Sequence, residues 1–265
     1  MLQSVFATSD EFGADKAYYP FMSRPAIKWW QWLFYWLCIP LSWPQTVAYF
    51  ESRPADKNCI KHQRKYMTGN LNSDLSLAIS MRKSKVVAKQ MGLTFNDLML
   101  GIIGRALKVH FKKNKDDTDT ITMSIPFTFQ QISKDRSKWS YGNDFCVLSL
   151  YLPLREDLLE ACKAAKQQMN AMKNSLIPVA TYQVMTFYAS CTPHGFMQHF
   201  SDSCGAKHTA LFSNIPGFVK PVHFGEGGEA TKIFCLGTGS GNIATGFSMI
   251  SMPKQAQFVL TADES

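Results

Sequence analysis

The sequence lacks the residue patterns on which most metal, redox and phosphate-binding sites depend. Its seven cysteines are odd in number and none are spaced C-x-x-C, which argues against a zinc ribbon or a disulfide framework and predicts reduced thiols facing the cytosol. The six histidines include no H-x-x-x-H or H-E-x-x-H pair. No G-x-S-x-G nucleophile elbow and no phosphate-binding P-loop occurs. The sequence therefore predicts neither a metal site nor a bound cofactor.

Acidic residues are also in short supply. The 265-residue chain has 20 acidic and 28 basic residues, a net charge of +8, which indicates an acidic partner such as an anionic lipid surface, a phosphorylated ligand or nucleic acid. Nucleic acid is disfavoured, because the sequence has no ribonucleoprotein pattern of aromatic and glycine residues and no helix-turn-helix signal. Residues 1–28 contain Asp10, Glu11 and Asp15 and no apolar run. We expect no secretory signal peptide there, but a remnant or tail that resembles the middle of a longer protein.

Charged residues are absent between Lys28 and Glu51, where the chain runs WWQWLFYWLCIPLSWPQTVAYF. Tryptophan favours the boundary between hydrocarbon and headgroups, because its ring is apolar and carries one N–H donor. A helix of this length would just cross a bilayer core, but Pro40 and Pro44 interrupt it. We therefore predict a membrane-contacting segment over residues 29–50, bent and interfacial, with a true span or a buried core helix as alternatives. Its indoles are Trp29, Trp30, Trp32, Trp36 and Trp43.

Residues 51–70 form a basic linker after the apolar segment. Its basic residues are Arg53, Lys57, Lys61, Arg64 and Lys65, against the acidic Glu51 and Asp56. By the positive-inside rule, this excess predicts that the linker and the body that follows lie on the cytosolic side of a membrane. The basic residues either contact anionic headgroups or belong to a solvated linker.

The body, residues 71–265, mixes helix and strand patterns. Thr94 and Asp97 predict a capping box at the start of the clearest helix, whose apolar residues recur at helical period from Phe95 to Leu107. Further helices are expected at 82–91, 156–174, 182–190 and 195–203. Strands are expected at 75–79, 121–127, 145–152, 210–214, 233–236, 242–251 and 257–262, with a turn at 252–255. The class is therefore α/β or α+β, with a mixed sheet flanked by helices.

Two short segments of the body stand out. Asn96-Asp97 lies in the first turn of the clearest helix, where both residue types favour helix starts because they accept orphan backbone N–H bonds. Residues 213–217, SNIPG, close an expected strand with a Pro-Gly turn. Each segment alone has this simple structural explanation.

Taken in order, these segments resemble the C-terminal part of the wax ester synthase/diacylglycerol acyltransferase family, especially its plant-type members. The likeness starts at the apolar segment and its RPADKNCIKH exit and continues in residues 92–100, GLTFNDLML, similar to the family's T-V-N-D-V-x-L helix start. Gly142-Asn143-Asp144 resembles its G-N segment, and residues 213–217 its S-N-V-P-G motif with Ile215 for valine. Residues 242–244 and Ala262-Asp263 resemble its N-I-A and A-D ending. Because these segments follow one another in the family's order over roughly residues 25–263, the likeness is more specific than any single motif.

The resemblance implies one lobe of a two-lobed, CoA-dependent acyltransferase-like fold. It marks as family motif or substrate-channel residues Asn96, Asp97, Ser213, Asn214, Pro216 and Gly217. The family's first lobe carries an H-H-x-x-x-D-G motif, whose second histidine takes the proton from an alcohol as the alcohol attacks a thioester. This sequence has no such motif, so no catalytic residue is expected in it. The resemblance implies that an N-terminal lobe, missing here, supplies the histidine.

The function implied is transfer of a fatty acyl group from acyl-CoA to diacylglycerol or a long-chain alcohol, which makes triacylglycerol or wax ester. Partners would be membrane lipid, acyl-CoA, a lipid-soluble alcohol and the missing lobe. The expected location is the endoplasmic reticulum membrane, with the body on the cytosolic side. Candidates for holding the CoA phosphates are Arg82, Lys83 and Lys85, or Lys112 and Lys113. The alternative is a non-catalytic, membrane-associated relative that binds acyl-CoA or lipid.

Overall fold

A computed structural model describes most of the chain from residue 52 onward. The described residues are 33, 37, 43, 44, 46, 48, 50, 52–61, 67–128, 145–215, 217, 221, 223–224, 228–236 and 243–264. The residues singled out from the sequence that lie outside them include the tail 1–28, Trp29, Trp30, Trp32, Trp36, Pro40, Arg64, Lys65, the segment Gly142-Asn143-Asp144, Pro216 and Asn242.

A mixed β-sheet forms the centre of the described structure. The strands are β1 (Leu71–Leu75), β2 (Ile79–Ser80), β3 (Thr120–Thr128), β4 (Phe145–Pro153), β5 (Ala210–Ile215), β6 (His223–Phe224), β7 (Gly228–Glu229), β8 (Thr245–Ser251) and β9 (Gln255–Asp263). The main sheet has the order β1-β9-β8-β5-β3-β4, with β2 also paired to β9. β5 lies between β3 and β8 and is parallel to both, whereas the other pairs are antiparallel. Strands β6 and β7 form a separate pair.

The helices flank this sheet. They are α1 (Met81–Gln90), α2 (Phe95–Lys113), α3 (Leu158–Lys173), α4 (Ile177–Cys191) and α5 (His194–Gly205). Helices α2 and α3 pack side by side, and α3 and α4 contact β4. The buried apolar residues of α2, among them Met99, Leu100 and Phe111, join one hydrophobic core with those of the central strands. The expected mixed sheet flanked by helices is confirmed.

The two faces of the sheet differ in chemistry. Met123, Leu150 and Ala210 are register partners and buried, and they belong to the apolar core under the helices. The opposite face carries hydroxyl groups on neighbouring strands, where Ser124 pairs with Ser149. Because residues i and i+2 of a strand share a face, Asn214 lies on the apolar face with Phe212, which puts it on the same side as the helices.

Two strand predictions differ from the structure. The stretch 75–79 is interrupted, because the backbone N–H of Ser76 donates to Phe258 O (2.9 Å) while its hydroxyl accepts from Phe258 N (2.9 Å), and Leu77 is 91% exposed. Residues 233–236 form no strand: the Cys235 carbonyl accepts a short hydrogen bond from the Ser248 hydroxyl instead of a ladder bond. Phe234 is therefore half exposed. The turn at 252–255 is confirmed by the bond from Met252 N to Gln255 O (2.8 Å).

Candidate functional site

The first turn of α2 has the capping box that the sequence predicts. The Thr94 hydroxyl accepts from Asp97 N (3.2 Å), and the Asp97 carboxylate accepts from Thr94 N (2.9 Å). Asp97 is only 2% exposed. Two orphan backbone donors of the helix are satisfied in this way, so this carboxylate is used to fix the helix start.

Asn96, the neighbour of Asp97, contacts the other family-like segment. The Asn214 side-chain amide donates to the side-chain oxygen of Asn96 across 3.2 Å, although 118 positions separate the two residues. Both side chains are partly buried. Asn214 lies one residue before the end of β5, which is parallel to both its neighbours. The contact therefore joins a helix N-terminus to the carboxyl end of a parallel strand, a location where ligands often bind in open sheets.

Gly217 has a structural requirement of its own. Its backbone N–H donates to the Ser251 hydroxyl (3.0 Å), and a Cβ atom at this position would lie 1.6 Å from Ser251 O. No side chain fits there, because β5 and β8 exit side by side at this point.

Ser213, register partner of Ser248, lies on the hydroxyl-bearing face, opposite to Asn214. The structure thus brings together Asn96 and Asn214 but not Ser213.

A polar cluster that the sequence did not reveal connects the basic linker to the body. The Asp56 carboxylate accepts from the Thr122 backbone N–H (2.6 Å), the Thr122 hydroxyl (2.9 Å) and the Thr209 hydroxyl (2.6 Å). The Asn58 amide donates to the same Thr209 hydroxyl (2.8 Å). The Arg53 guanidinium lies 3.3 Å from the centroid of the Tyr151 ring, a cation–π contact. The linker is therefore fastened to the sheet across the start of β3 and β5, and its basic residues are not all solvated.

Among the described basic residues of the linker, Lys61 is the most deeply buried, with 8% exposed. Its ammonium group donates to Gly205 O (3.3 Å) and, in a shorter bond, to His208 O. Burial lowers the pKa of Lys61 to about 8, while the nearby charge of Asp56 opposes the shift. This lysine is therefore unavailable for binding an anionic headgroup in the arrangement described.

His208 lies beside Lys61 and is also buried. Its Nδ1–H donates to Cys204 O (2.7 Å), which leaves Nε2 to accept from the Ser149 hydroxyl (2.7 Å). Burial lowers the pKa of His208, which favours the neutral ring. Both His208 and Ser149 are at most 4% exposed, so this pair has no access to a substrate hydroxyl. The other histidines with described side chains, namely His110, His194 and His199, are exposed.

The basic candidates on the surface do not form one site. Arg82, Lys83 and Lys85 are exposed on α1. Lys112 and Lys113 are exposed at the end of α2, where Lys112 pairs with Glu156 (2.8 Å).

Within the described ranges there is no group of three metal-ligating side chains. Nor is any helix described there both long and apolar enough to cross a bilayer. None of the described cysteines is in a disulfide bond.

The C-terminal part of the chain matches a known family. Residues 141–265 match the model of the WS/DGAT C-terminal domain, that is, the wax ester synthase/diacylglycerol acyltransferase family. The resemblance seen in the sequence is thereby confirmed for this part. No curated protein matches the chain by sequence.

Solved structures with a similar fold include the wax ester synthase/diacylglycerol acyltransferase from Marinobacter aquaeolei VT8, with 14% identity, a TM-score of 0.52, and coverage of 85% of this chain and 50% of that one. A condensation domain that mediates chain release from the enacyloxin polyketide synthase has 11% identity and a TM-score of 0.55, and the match covers 91% of this chain and 47% of that one. The epimerization domain from the third module of tyrocidine synthetase B has 12% identity and a TM-score of 0.52, and the match covers 88% of this chain and 52% of that one. At such identities the likeness concerns the fold alone, and this chain spans about half the length of each.

Proposed function

We propose that this chain is the C-terminal lobe of an O-acyltransferase that moves a fatty acyl group from acyl-CoA to diacylglycerol or a long-chain alcohol. The observation that carries the proposal is the contact of Asn96 with Asn214, which joins the two family-like segments in space. The match of residues 141–265 to the family's C-terminal domain supports it. In this proposal the paired amides lie beside the channel through which the substrates meet.

The chemistry requires a base that this lobe does not offer. The acceptor hydroxyl attacks the thioester carbonyl, its proton goes to a general base, and the collapsing tetrahedral intermediate expels CoA thiolate, which the protonated base then neutralises. Among the histidines with described side chains, His208 is enclosed with Ser149, and His110, His194 and His199 lie exposed on helices. We propose that the base belongs to a second lobe carrying H-H-x-x-x-D-G, in keeping with the half-length coverage of the similar enzyme structure.

Membrane association is the second part of the proposal. Both acceptors are lipid-soluble, so the lobe must reach them at a membrane, for which we propose the cytosolic face of the endoplasmic reticulum. The uncharged, tryptophan-rich residues 29–50 would make the contact. The exposed Arg82, Lys83 and Lys85 of α1 offer charge for the CoA phosphates, whereas Lys112 is already paired with Glu156.

An acyl-transfer assay in detergent micelles tests this proposal. The chain alone, and the chain combined with an N-terminal lobe that carries H-H-x-x-x-D-G, are each given palmitoyl-CoA with hexadecanol or dioleoylglycerol. We expect ester formation and CoA release only from the combination, because only it contains the base. Robust transfer by the chain alone would contradict the two-lobe requirement and demand a different base.

The alternative function is non-catalytic binding of acyl-CoA or lipid, which agrees with the enclosed position of His208 beside Ser149. Isothermal titration of the chain with a non-hydrolysable palmitoyl-CoA analogue separates the two. Binding by the chain, together with no transfer by the combination with the second lobe, would favour the binding protein over the enzyme.

A further inference from the structure

Helix α4 has two halves with different surroundings. Ala180, Thr181 and Val184 in its first half are at most 7% exposed, and the Cys146 thiol of β4 donates to Pro178 O (3.5 Å). From Thr186 to Cys191 every residue with a described side chain is exposed. The first half therefore fastens the helix to the sheet, and the second half projects from the body. We call residues 186–191 the α4 tip.

The tip has no charge to hold it in water. Between Lys173 and Asp202 the sequence contains no Asp, Glu, Lys or Arg, so the uncharged stretch extends through the whole of α4 and into α5. Exposed helix surfaces of soluble proteins ordinarily carry charged residues. An exposed helix end without charge is typical of a surface that meets a less polar phase.

The hydroxyl groups of Thr186 and Ser190 in the tip are turned towards the backbone of the helix. The Thr186 hydroxyl donates to Tyr182 O (2.8 Å), and the Ser190 hydroxyl donates to Thr186 O (2.8 Å). Both residues are exposed, so water was available as a partner. This bonding to the carbonyl one turn back hides the donor of each side chain. These two side chains therefore present less polarity to their surroundings than their residue types suggest.

The tip also touches the tryptophan-rich segment. The Trp43 ring packs against Phe187 with centroids 5.4 Å apart, while Phe187 stays 50% exposed. Farther along that segment Leu33 and Leu37, one helical turn apart, are 56% and 67% exposed. Lys207 then donates to Phe50 O (2.7 Å), which connects the end of the segment to the body. Two uncharged stretches that are distant in the sequence therefore meet at Phe187.

We infer that the α4 tip is a second membrane-contacting element, which inserts with the tryptophan-rich segment into the headgroup and upper acyl region of a phospholipid bilayer. The inference rests on the membrane association proposed above and adds a specific contact to it. With 15 residues, α4 is too short to cross the hydrocarbon core, so the insertion is shallow. A bilayer is favoured over a protein partner because the tip has no charged residue and the hydroxyl groups of Thr186 and Ser190 are bonded to its own backbone, which leaves little for specific recognition by a protein.

Flotation with vesicles of phosphatidylcholine and phosphatidylserine tests the inference on the whole chain. We expect Phe187→Asp to lower the vesicle partition coefficient by about tenfold or more, because an aromatic contact is lost and a charge enters the interface. Ala189→Asp changes an exposed tip residue and should also weaken partition. The matched control, Leu77→Asp, changes a side chain that is 91% exposed between β1 and β2, and it should float like the wild type.

Amide hydrogen exchange of the unaltered chain provides a test that does not depend on how the variants fold. Exchange of residues 186–195 should slow when vesicles are added, while exchange around Leu77 should not. Wild-type binding with unaffected tip variants, no vesicle binding at all, or tip protection by protein concentration alone would each overturn the inference. Flotation needs no acyl transfer, and transfer in micelles needs no bilayer, so a failure of either proposal can be recognised separately.

Discussion

Asn96 and Asp97 are neighbours in the sequence, but their side chains have different partners. Asp97 is buried in the capping box, so Asp97→Ala should lower the free energy of unfolding by about 1–2 kcal/mol. Asn96 is partly exposed and makes its contact with Asn214, so Asn96→Ala should cost about 1 kcal/mol or less. In the proposed two-lobe enzyme, where Asn96 would help to position the substrates, Asn96→Ala should lower acyl transfer by about tenfold or more. Urea unfolding and the micelle assay measure the two effects.

The control for this prediction is Asn214→Ala, which removes the other partner of the same hydrogen bond. If the two amides act as a unit, the double variant should lose little more activity than either single one. A loss of activity in Asn96→Ala that only matches its loss of stability would assign Asn96 to the helix start alone.

The sequence allowed a prediction of local contacts at this scale but not of distant ones. The capping box depends on residues three positions apart, so its pattern is visible in the sequence. The contact of Asn96 with Asn214 depends on the central position of β5, which the order of segments along the chain does not reveal. Family resemblance grouped the two residues without indicating that they touch.

At the scale of elements, two glycines of α2 differ in how closely a neighbour approaches them: Gly101 faces α3 and Gly104 faces β4. A Cβ on Gly101 would lie 2.3 Å from Cys162 Sγ and 2.7 Å from its Cα, whereas a Cβ on Gly104 would lie no closer than 3.4 Å to Leu152. Gly101→Ala should destabilise the fold by about 1–3 kcal/mol through overpacking. Gly104→Ala should be neutral or stabilise it by up to about 1 kcal/mol, since alanine favours the helix. Equal unfolding midpoints for the two variants would refute this close approach.

Element types were easier to predict than their ends and pairings. Helix α4 begins at Ile177 rather than at the expected residue 182, since Pro178 is tolerated in a first turn where its missing N–H needs no partner. A segment with a strand-like sequence becomes a strand only where a neighbouring strand pairs with its backbone. The stretch 233–236, IFCL, is apolar throughout, but with Phe234 and Leu236 exposed it joins no ladder.

At the scale of the whole molecule, hydrogen bonds attach the linker to the sheet and to the end of α5. Asp56 and Asn58 bind β3 and the residue before β5, and Lys61 donates to the carbonyls of Gly205, the last residue of α5, and His208, just after it. A charged lysine in this position costs free energy because it has lost most of its water. Neighbouring groups that titrate or carry charge are Asp56, His208 and Arg53. Global stability should therefore depend on pH through Lys61.

The sign of that dependence follows from the lowered pKa of Lys61, about 8 in the folded chain against an ordinary 10.5. Between these values the unfolded chain binds more protons, so the contribution of Lys61 to stability should rise with pH, by at most about 3 kcal/mol. Buried thiols act in the opposite direction, since burial raises the pKa of Cys146 to about 12. The measurement is therefore the difference in unfolding free energy between wild type and Lys61→Met, from urea unfolding at pH 7 to 10. That difference should shift in favour of the wild type as pH rises.

The exposed Lys57→Met serves as the control and should follow the wild-type profile. Parallel profiles for wild type and Lys61→Met would mean that Lys61 is hydrated and that the linker is not fastened as described.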